Sequence, residues 1–142
     1  METLEFFKDR ERGLLDPAIF ERAKQVAEKL VGEGKTKSSQ FRNYFAELRA
    51  LENRFAKERK DNKDLAFARL VPELELLKAK LAYNTRTNGP LRDARAFVNF
   101  LNEALDAGKR SPEDFEAMMK YVEAVLAYFY ASEKRTGGQN EA

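Results

Sequence analysis

The fold class follows from residues 39–60, SQFRNYFAELRALENRFAKERK. The apolar side chains of this segment recur at steps of three and four residues, the period of one face of an α-helix. They are Phe41, Tyr44, Phe45, Leu48, Leu51 and Phe55. No run elsewhere in the chain alternates convincingly between apolar and polar residues, as a half-buried strand does. The segment therefore predicts a long amphipathic helix in an all-α protein.

Residues 16–34 predict the preceding helix. Asp16 suits the N-cap position, and Pro17 suits the first helical position because an N–H there would have no helical partner. Gly32 and Gly34 mark the end of this helix. Its inner stripe consists of Ile19, Phe20, Ala23, Val26, Ala27, Leu30 and Val31.

A third helical region runs from about Asp64 to Tyr83. Pro72 lies inside it and predicts a break or kink near Val71, because proline removes a backbone donor and clashes with the preceding turn. The apolar residues of the region are Leu65, Phe67, Leu70, Val71, Leu74, Leu77 and Leu81.

A polar loop over 84–89 separates this region from two more helices. The fourth is predicted to open at Pro90 and to close at Gly108, and Ser111 is a cap for the fifth. The fifth helix carries Phe115, Met118, Met119, Val122, Leu126 and Phe129 on its inner face. The chain thus predicts an all-α, single-domain bundle of about five helices with short connections.

The two ends of the chain lie outside this bundle. Residues 1–15 predict a short N-terminal segment, with a short helix that carries Leu4, Phe6 and Phe7. Residues 135–142 contain two adjacent glycines and predict a flexible tail.

The composition argues against catalysis. The chain has neither cysteine nor histidine, so it lacks the residues of Ser-His-Asp and Cys-His machinery and the commonest metal ligands. Carboxylate pairs such as Glu73 and Glu75 are two residues apart and do not face each other on a helix. We therefore expect a protein that is not an enzyme and needs no cofactor or metal. No segment approaches a membrane span and the N-terminus does not resemble a signal peptide, so we expect a cytoplasmic protein with no membrane partner.

The charge is close to balanced overall but uneven along the chain. Between Lys35 and Arg95 there are 15 Lys and Arg against 8 Asp and Glu, a net charge of +7. The remainder holds 11 against 16, a net charge of −5, which together give the formal net charge of +2. A basic middle between acidic ends suits a polyanion bound on one face. Solvated helix faces would explain the same distribution.

Residues 35–42, KTKSSQFR, concentrate basic, hydroxyl and amide side chains where the second helix begins. The first turn of a helix has unpaired N–H groups and the positive end of the helix dipole, both suited to a phosphate. Ser39 also reads as an ordinary helix N-cap. A nucleotide-binding loop is excluded, because its first glycine would have to replace Lys29 and the segment follows a helix rather than a strand.

Basic residues continue along a flank of the second helix. At about 100° per residue, Arg42, Arg49 and Lys60 align in one row, which suits a phosphate backbone. A row of solvated side chains beside the core looks the same in sequence.

Residues 37–45, KSSQFRNYF, resemble the small subunit of the type III-A CRISPR–Cas (Csm) effector complex. That family shows a hydroxyl-Gln-x-Arg-x-aromatic run at the start of a helix. The likeness continues in residues 76–83, LLKAKLAY, with Arg86 downstream, and in Ala127-Tyr128 near the end of the last helix. The chain departs from the family pattern after Tyr128, which puts any contact made by the Lys134–Arg135 cluster in doubt.

The resemblance implies a non-catalytic helical subunit that binds target RNA paired to guide RNA. It implies contacts with other subunits of the complex and with further copies of itself. Carried over by position, Gln40 and Arg42 match the first motif, and Lys80, Tyr83 and Arg86 match the second. Charge and helix-face geometry add further candidates, so that the predicted RNA-binding residues are Lys35, Lys37, Ser39, Gln40, Arg42, Arg49, Lys78, Lys80 and Arg86. For Tyr83, core packing is favoured over base stacking.

Two other functions fit the same pattern. The segment around Gly32–Arg42 could form the helix-turn-helix of a DNA-binding regulator. Against this, the connection from Val31 to Ser39 exceeds the usual turn of three to four residues, and the second helix is long for a compact recognition element. A helical protein–protein adaptor, in which the uneven charge is incidental, is the other possibility.

Overall fold

A computed structural model describes the backbone of residues 3–141 and the side chains of residues 3–133. Five helices form a bundle, and a small two-stranded hairpin precedes them. The elements are β1 (Phe7–Asp9), β2 (Leu14–Leu15), α1 (Ala18–Glu33), α2 (Ser38–Glu58), α3 (Lys63–Asn84), α4 (Arg95–Gly108) and α5 (Pro112–Glu141). The all-α bundle of about five helices is confirmed. The predicted tail at 135–142 stays a prediction, since its side chains and residue 142 lie outside the described residues.

The N-terminal segment is a hairpin, so the short helix predicted there is wrong. β1 and β2 pair antiparallel, with Phe7 opposite Leu15. Gly13 has a φ of 67°, which favours glycine in the connecting turn. Apolar and polar residues alternate just before the hairpin, where Leu4 and Phe6 are buried and Glu5 between them is exposed. This run is too short to count as a strand signal by itself.

The core lies between α5 and the helices around it, and rings dominate its centre. The Phe41 ring of α2 lies 5.1 Å from that of Phe97, 5.8 Å from Phe100 and 5.7 Å from Phe129. These tilted pairs join α2, α4 and α5. The predicted inner faces are largely confirmed, but Phe20 and Leu65 are exposed.

The caps that open the first and last helices are confirmed. The Asp16 carboxylate accepts the Ala18 N–H at 3.0 Å, and the Ser111 hydroxyl accepts the Asp114 N–H at 3.0 Å. Gly34 ends α1 with a φ of 68° and donates its N–H to the Leu30 carbonyl.

The fourth helix starts at Arg95, so its predicted opening at Pro90 is wrong. The preceding turn is held by the Leu91 N–H, which donates to the Asn84 carbonyl at 2.9 Å. A Cβ at Gly89 would overlap that same carbonyl group, so only glycine fits there. This close approach keeps residues 89–94 in turns after the end of α3.

Pro72 does not break α3, which continues to Asn84. The proline is exposed, so its ring faces solvent and the helix loses one backbone hydrogen bond without losing its core contacts. The break predicted near Val71 is therefore wrong, and the alternative of a kink there stays a prediction.

Candidate nucleic-acid interface

The α1–α2 connection presents basic residues at the end of the bundle where α2 begins. It spans Gly34 to Lys37, and α2 opens at Ser38 with Lys37 at its N-cap and no side-chain cap. The Ser38 hydroxyl donates to the Glu133 carboxylate. Because the helix begins at Ser38 with Lys37 at its N-cap, the interpretation of Ser39 as the N-cap is wrong. Ser39 is exposed in the first turn.

Three of the predicted cations at this end have no acidic partner within residues 3–133. Lys35, Lys37 and Arg42 are exposed and enter no ion pair or side-chain hydrogen bond with the rest of the described chain. Their charges are therefore available to an external anion.

Arg95 joins this group through a contact that the sequence pattern does not reveal. The Ala96 N–H of α4 donates to the Glu33 carboxylate of α1 at 3.0 Å, across 63 residues. This bond places the exposed Arg95 beside the α1–α2 connection, and Arg95 too has no acidic partner in the described part of the chain. We call Lys35, Lys37, Arg42 and Arg95 the basic end. Only a long-range contact could have added Arg95 to it.

Arg49, in contrast, is held by ion pairs with other residues of the chain. Its guanidinium lies 2.5 Å from Glu52 and 3.0 Å from Glu123, and it stacks on the Phe45 ring at 4.9 Å. The hydrogen bonds that Arg49 donates to Glu123 and Glu52 raise the Arg49 pKa. The helix ends at Glu58, so the row predicted through Arg42, Arg49 and Lys60 does not continue on one helix.

Lys78 and Lys80 also have partners within the chain. Lys78 lies 2.5 Å from Asp106 of α4, and Lys80 lies 3.4 Å from Glu47 of α2. An RNA phosphate would have to compete with both carboxylates, which makes these lysines weaker candidates than the basic end.

A groove between α2 and α3 brings the two sequence motifs together. It has a volume of about 510 Å³, and Gln40 of the first motif and Lys80 of the second both line it. Within the groove, the Asn84 amide of α3 donates a hydrogen bond to the Tyr44 hydroxyl of α2 at 2.6 Å. Burial of Tyr44 raises the pKa of that hydroxyl. Gln40 therefore stands between the basic end and the groove.

Tyr83 is 63% exposed, so the core packing favoured for it is wrong. The Arg86 guanidinium lies 3.7 Å from the centre of the Tyr83 ring and donates to the Tyr83 carbonyl at 2.8 Å. The pair forms an exposed stack beside the groove.

Other site types find no support in the described residues. Glu73 lies 3.7 Å from Arg54 and Glu75 lies 2.7 Å from Lys109, on opposite sides of α3, which agrees with a structural role for both carboxylates. Within residues 3–133 no three carboxylates come together as metal ligands would. None of the helices, as far as they are described, has an apolar stretch that could cross a bilayer.

The helix-turn-helix alternative needs a correction. The connection from α1 to α2 has four residues, within the usual range, so the objection based on its length is wrong. The objection based on the length of α2 holds, since that helix has 21 residues.

Comparisons with known proteins support one family. Neither the curated proteins nor the solved structures that were searched contain a match to the chain. The model of the family described as Csm2 Type III-A matches residues 17–135. The match leaves out the N-terminal hairpin and includes all the residues of the basic end.

Proposed function

The chain belongs to the Csm2 family, the small subunits of type III-A Csm CRISPR effector complexes, and on this premise we propose that it binds the backbone of target RNA paired to guide RNA. The contact is independent of sequence and stabilises the filament of subunits. In this proposal the chain is not an enzyme and acts in the cytoplasm. Its protein partners are the other subunits of the complex and further copies of the chain.

The observation that carries the proposal is the basic end. Lys35, Lys37, Arg42 and Arg95 are exposed without an acidic partner in the described chain, whereas Arg49, Lys78 and Lys80 are paired. When unpaired Lys and Arg side chains bind phosphates, they displace the counterions that are condensed on the nucleic acid. This release is the main source of affinity for nucleic acid that does not depend on sequence.

The chemistry of the basic end suits a backbone rather than base edges. In guide-directed recognition, base pairing reads the sequence and the protein holds phosphates and 2′-hydroxyls. Arg42 can bind a phosphate through two parallel N–H groups. The Ser39 hydroxyl and the Gln40 amide can hydrogen-bond sugar and phosphate oxygens. We place Arg86 at the margin of this surface, on the Tyr83 ring.

A salt titration tests the proposal. Affinity for single-stranded RNA and for guide–target duplexes of unrelated sequence is measured from low to physiological salt. We expect similar affinities for all sequences and a steep loss with salt. Arg42→Ala should weaken binding uniformly and reduce the slope of log K against log salt by about 0.7 on single strands.

Arg54→Ala is the matched control, because it removes the same charge from the same helix at a residue that is paired with Glu58 and Glu73. It should leave the slope unchanged. Equal effects of the two variants, or a preference for one duplex DNA sequence, would contradict the proposal.

A further inference from the structure

Helix α3 carries apolar side chains on two opposite faces. The inner face is buried in the bundle and consists of Ala66, Leu70, Leu74, Leu77 and Leu81. The outer stripe, at steps of three and four residues, consists of Leu65, Ala68, Pro72, Leu76, Ala79 and Tyr83. At about 100° per residue, the centres of the two faces lie about 150° apart around the helix. The bundle covers one of them and leaves the other bare.

The outer stripe is open to solvent along its whole length. Leu65 is 45% exposed, Leu76 is 52% exposed and Tyr83 is 63% exposed. Ala68, Pro72 and Ala79 between them are exposed as well. At about 1.5 Å per residue the stripe is about 27 Å long. Scattered apolar residues on a surface need no explanation, but a continuous stripe of this length marks a contact surface.

Apart from Arg86, which stacks on Tyr83 at the end of the stripe, the cations beside the stripe form ion pairs within the chain. Three pairs join α3 to α2, one joins it to α4, and one joins it to Lys109, directly after α4. The first three are Glu47–Lys80 at 3.4 Å, Arg54–Glu73 at 3.7 Å and Glu58–Arg69 at 3.2 Å. The other two are Lys78–Asp106 at 2.5 Å and Glu75–Lys109 at 2.7 Å.

A polyanion gains little at such a surface, because every rim cation among these pairs has a carboxylate beside it. An uncharged apolar face gains from burying the stripe. The small side chains of Ala68 and Ala79 let another helix approach closely, and the groove beside Leu76 can receive one of its larger side chains. The surface therefore fits a protein helix better than RNA.

A second copy of the chain fits less well. If two outer stripes paired antiparallel about their midpoint, Leu65 would meet Tyr83 of the second copy. The same register sets Arg69 within one residue of Lys80 of the second copy and Glu73 within two residues of the second Glu73. Each of these ions is already paired within its own chain, and this register brings no opposite charges together across the contact, so the rims give no attraction between two copies.

We propose that the outer stripe docks an apolar helix face of a different protein subunit of the effector complex. This inference rests on the proposed place of the chain in that complex. Two surfaces of the chain then have separate functions: the basic end binds RNA, and the outer stripe binds protein. The second sequence motif, residues 76–83, then serves mainly a protein contact, with Lys78 and Lys80 keeping its rims neutral.

Reconstitution of the complex tests the inference. The chain is co-expressed with the other subunits and guide RNA, and its copies per complex are counted by native mass spectrometry over a dilution series. Leu76→Ser should weaken its apparent affinity for the complex about tenfold. Ala79→Glu, which places a charge in the stripe, should act in the same direction. Leu14→Ser is the matched control, since Leu14 is 50% exposed in the hairpin, and it should leave occupancy unchanged.

Three outcomes would overturn the inference. One is full occupancy by both stripe variants, and another is a loss of RNA affinity by free Leu76→Ser as large as that of Arg42→Ala. The third is a dimer of the free chain, seen by sedimentation, that Leu76→Ser dissociates. Failure of the RNA proposal can be told apart from failure of this inference. In that case Arg42→Ala would leave RNA affinity unchanged, while Leu76→Ser would still lower the occupancy of the chain in the complex.

Discussion

Asp114 shows at the scale of one residue how the hairpin is attached to the bundle. Its side chain is 2% exposed, and the Arg10 guanidinium donates to its two oxygens at 3.1 and 2.9 Å. The Ser111 hydroxyl adds a third bond at 2.7 Å. The sequence places Asp114 correctly in the first turn of a helix, but not its partner 104 residues away. Donating to the Asp114 carboxylate also raises the Arg10 pKa.

We expect Asp114→Ala to lower the free energy of unfolding by about 2–3 kcal/mol, because it removes charge-assisted hydrogen bonds from a buried site. Urea denaturation measures the change. Asp93→Ala is the control, since that carboxylate is exposed beside Arg92, and it should stay within about 0.5 kcal/mol. Equal stability of the two variants would show that Asp114 does not anchor the hairpin.

The contact between α4 and α5 depends on a glycine at the scale of the elements. Gly108 is buried at the end of α4, and a Cβ there would lie 2.5 Å from the Met118 sulfur and 3.1 Å from its Cβ. The sequence predicts Gly108 as a helix end. Only the packing shows that it also makes room for α5.

Gly108→Ala should therefore destabilise the protein by about 1–3 kcal/mol through overpacking. Gly32→Ala should do the opposite and stabilise it by about 0.5–1 kcal/mol. Gly32 lies inside α1 with nothing within 4 Å of an added Cβ, and alanine is the better helix former. Thermal unfolding of the two variants measures both effects. A shift of the unfolding midpoint in the same direction for both variants would contradict the packing of Gly108 against Met118.

Across the whole molecule, ion pairs within the described chain involve eight of the 15 cations of residues 35–95. Carboxylates on α2, α4 and α5 neutralise many of the cations, as Glu113 of α5 does for Lys63 at 2.8 Å. Net charge along the sequence therefore overstates the surface that is open to a polyanion. Cations without an acidic partner occur at several places in residues 3–133, and the four of the basic end lie together where α1, α2 and α4 meet.

These helix-to-helix pairs predict the response to acid. The hydrogen bond from Lys63 lowers the Glu113 pKa, and the one from Lys109 lowers the Glu75 pKa. A carboxylate with a lowered pKa in the folded state binds fewer protons there than in the unfolded chain. Its stabilising effect is therefore present above the unfolded pKa of about 4.3 and is lost as pH falls through the folded pKa.

Thermal midpoints should accordingly change little from pH 8 to pH 5 and fall steeply from pH 5 to pH 3. Lys63→Ala removes the partner of Glu113, so its midpoint should be lower at pH 7 and should depend less on pH below 5. A variant curve parallel to that of the unmodified chain would contradict the assigned pair.

The sequence by itself determined the five helices, the caps at Asp16 and Ser111 and most of the inner faces, because these depend on residues three to four apart and on local backbone preferences. It also marked Gln40 and Arg42, which lie at the start of a helix. The tertiary structure alone decided which cations are free and which are paired, and it alone joined Arg95 to the basic end through Glu33. It also showed that Tyr83 and the outer stripe of α3 are exposed. A helical period reveals that a face is apolar. Whether another helix covers that face depends on contacts between residues far apart in the sequence.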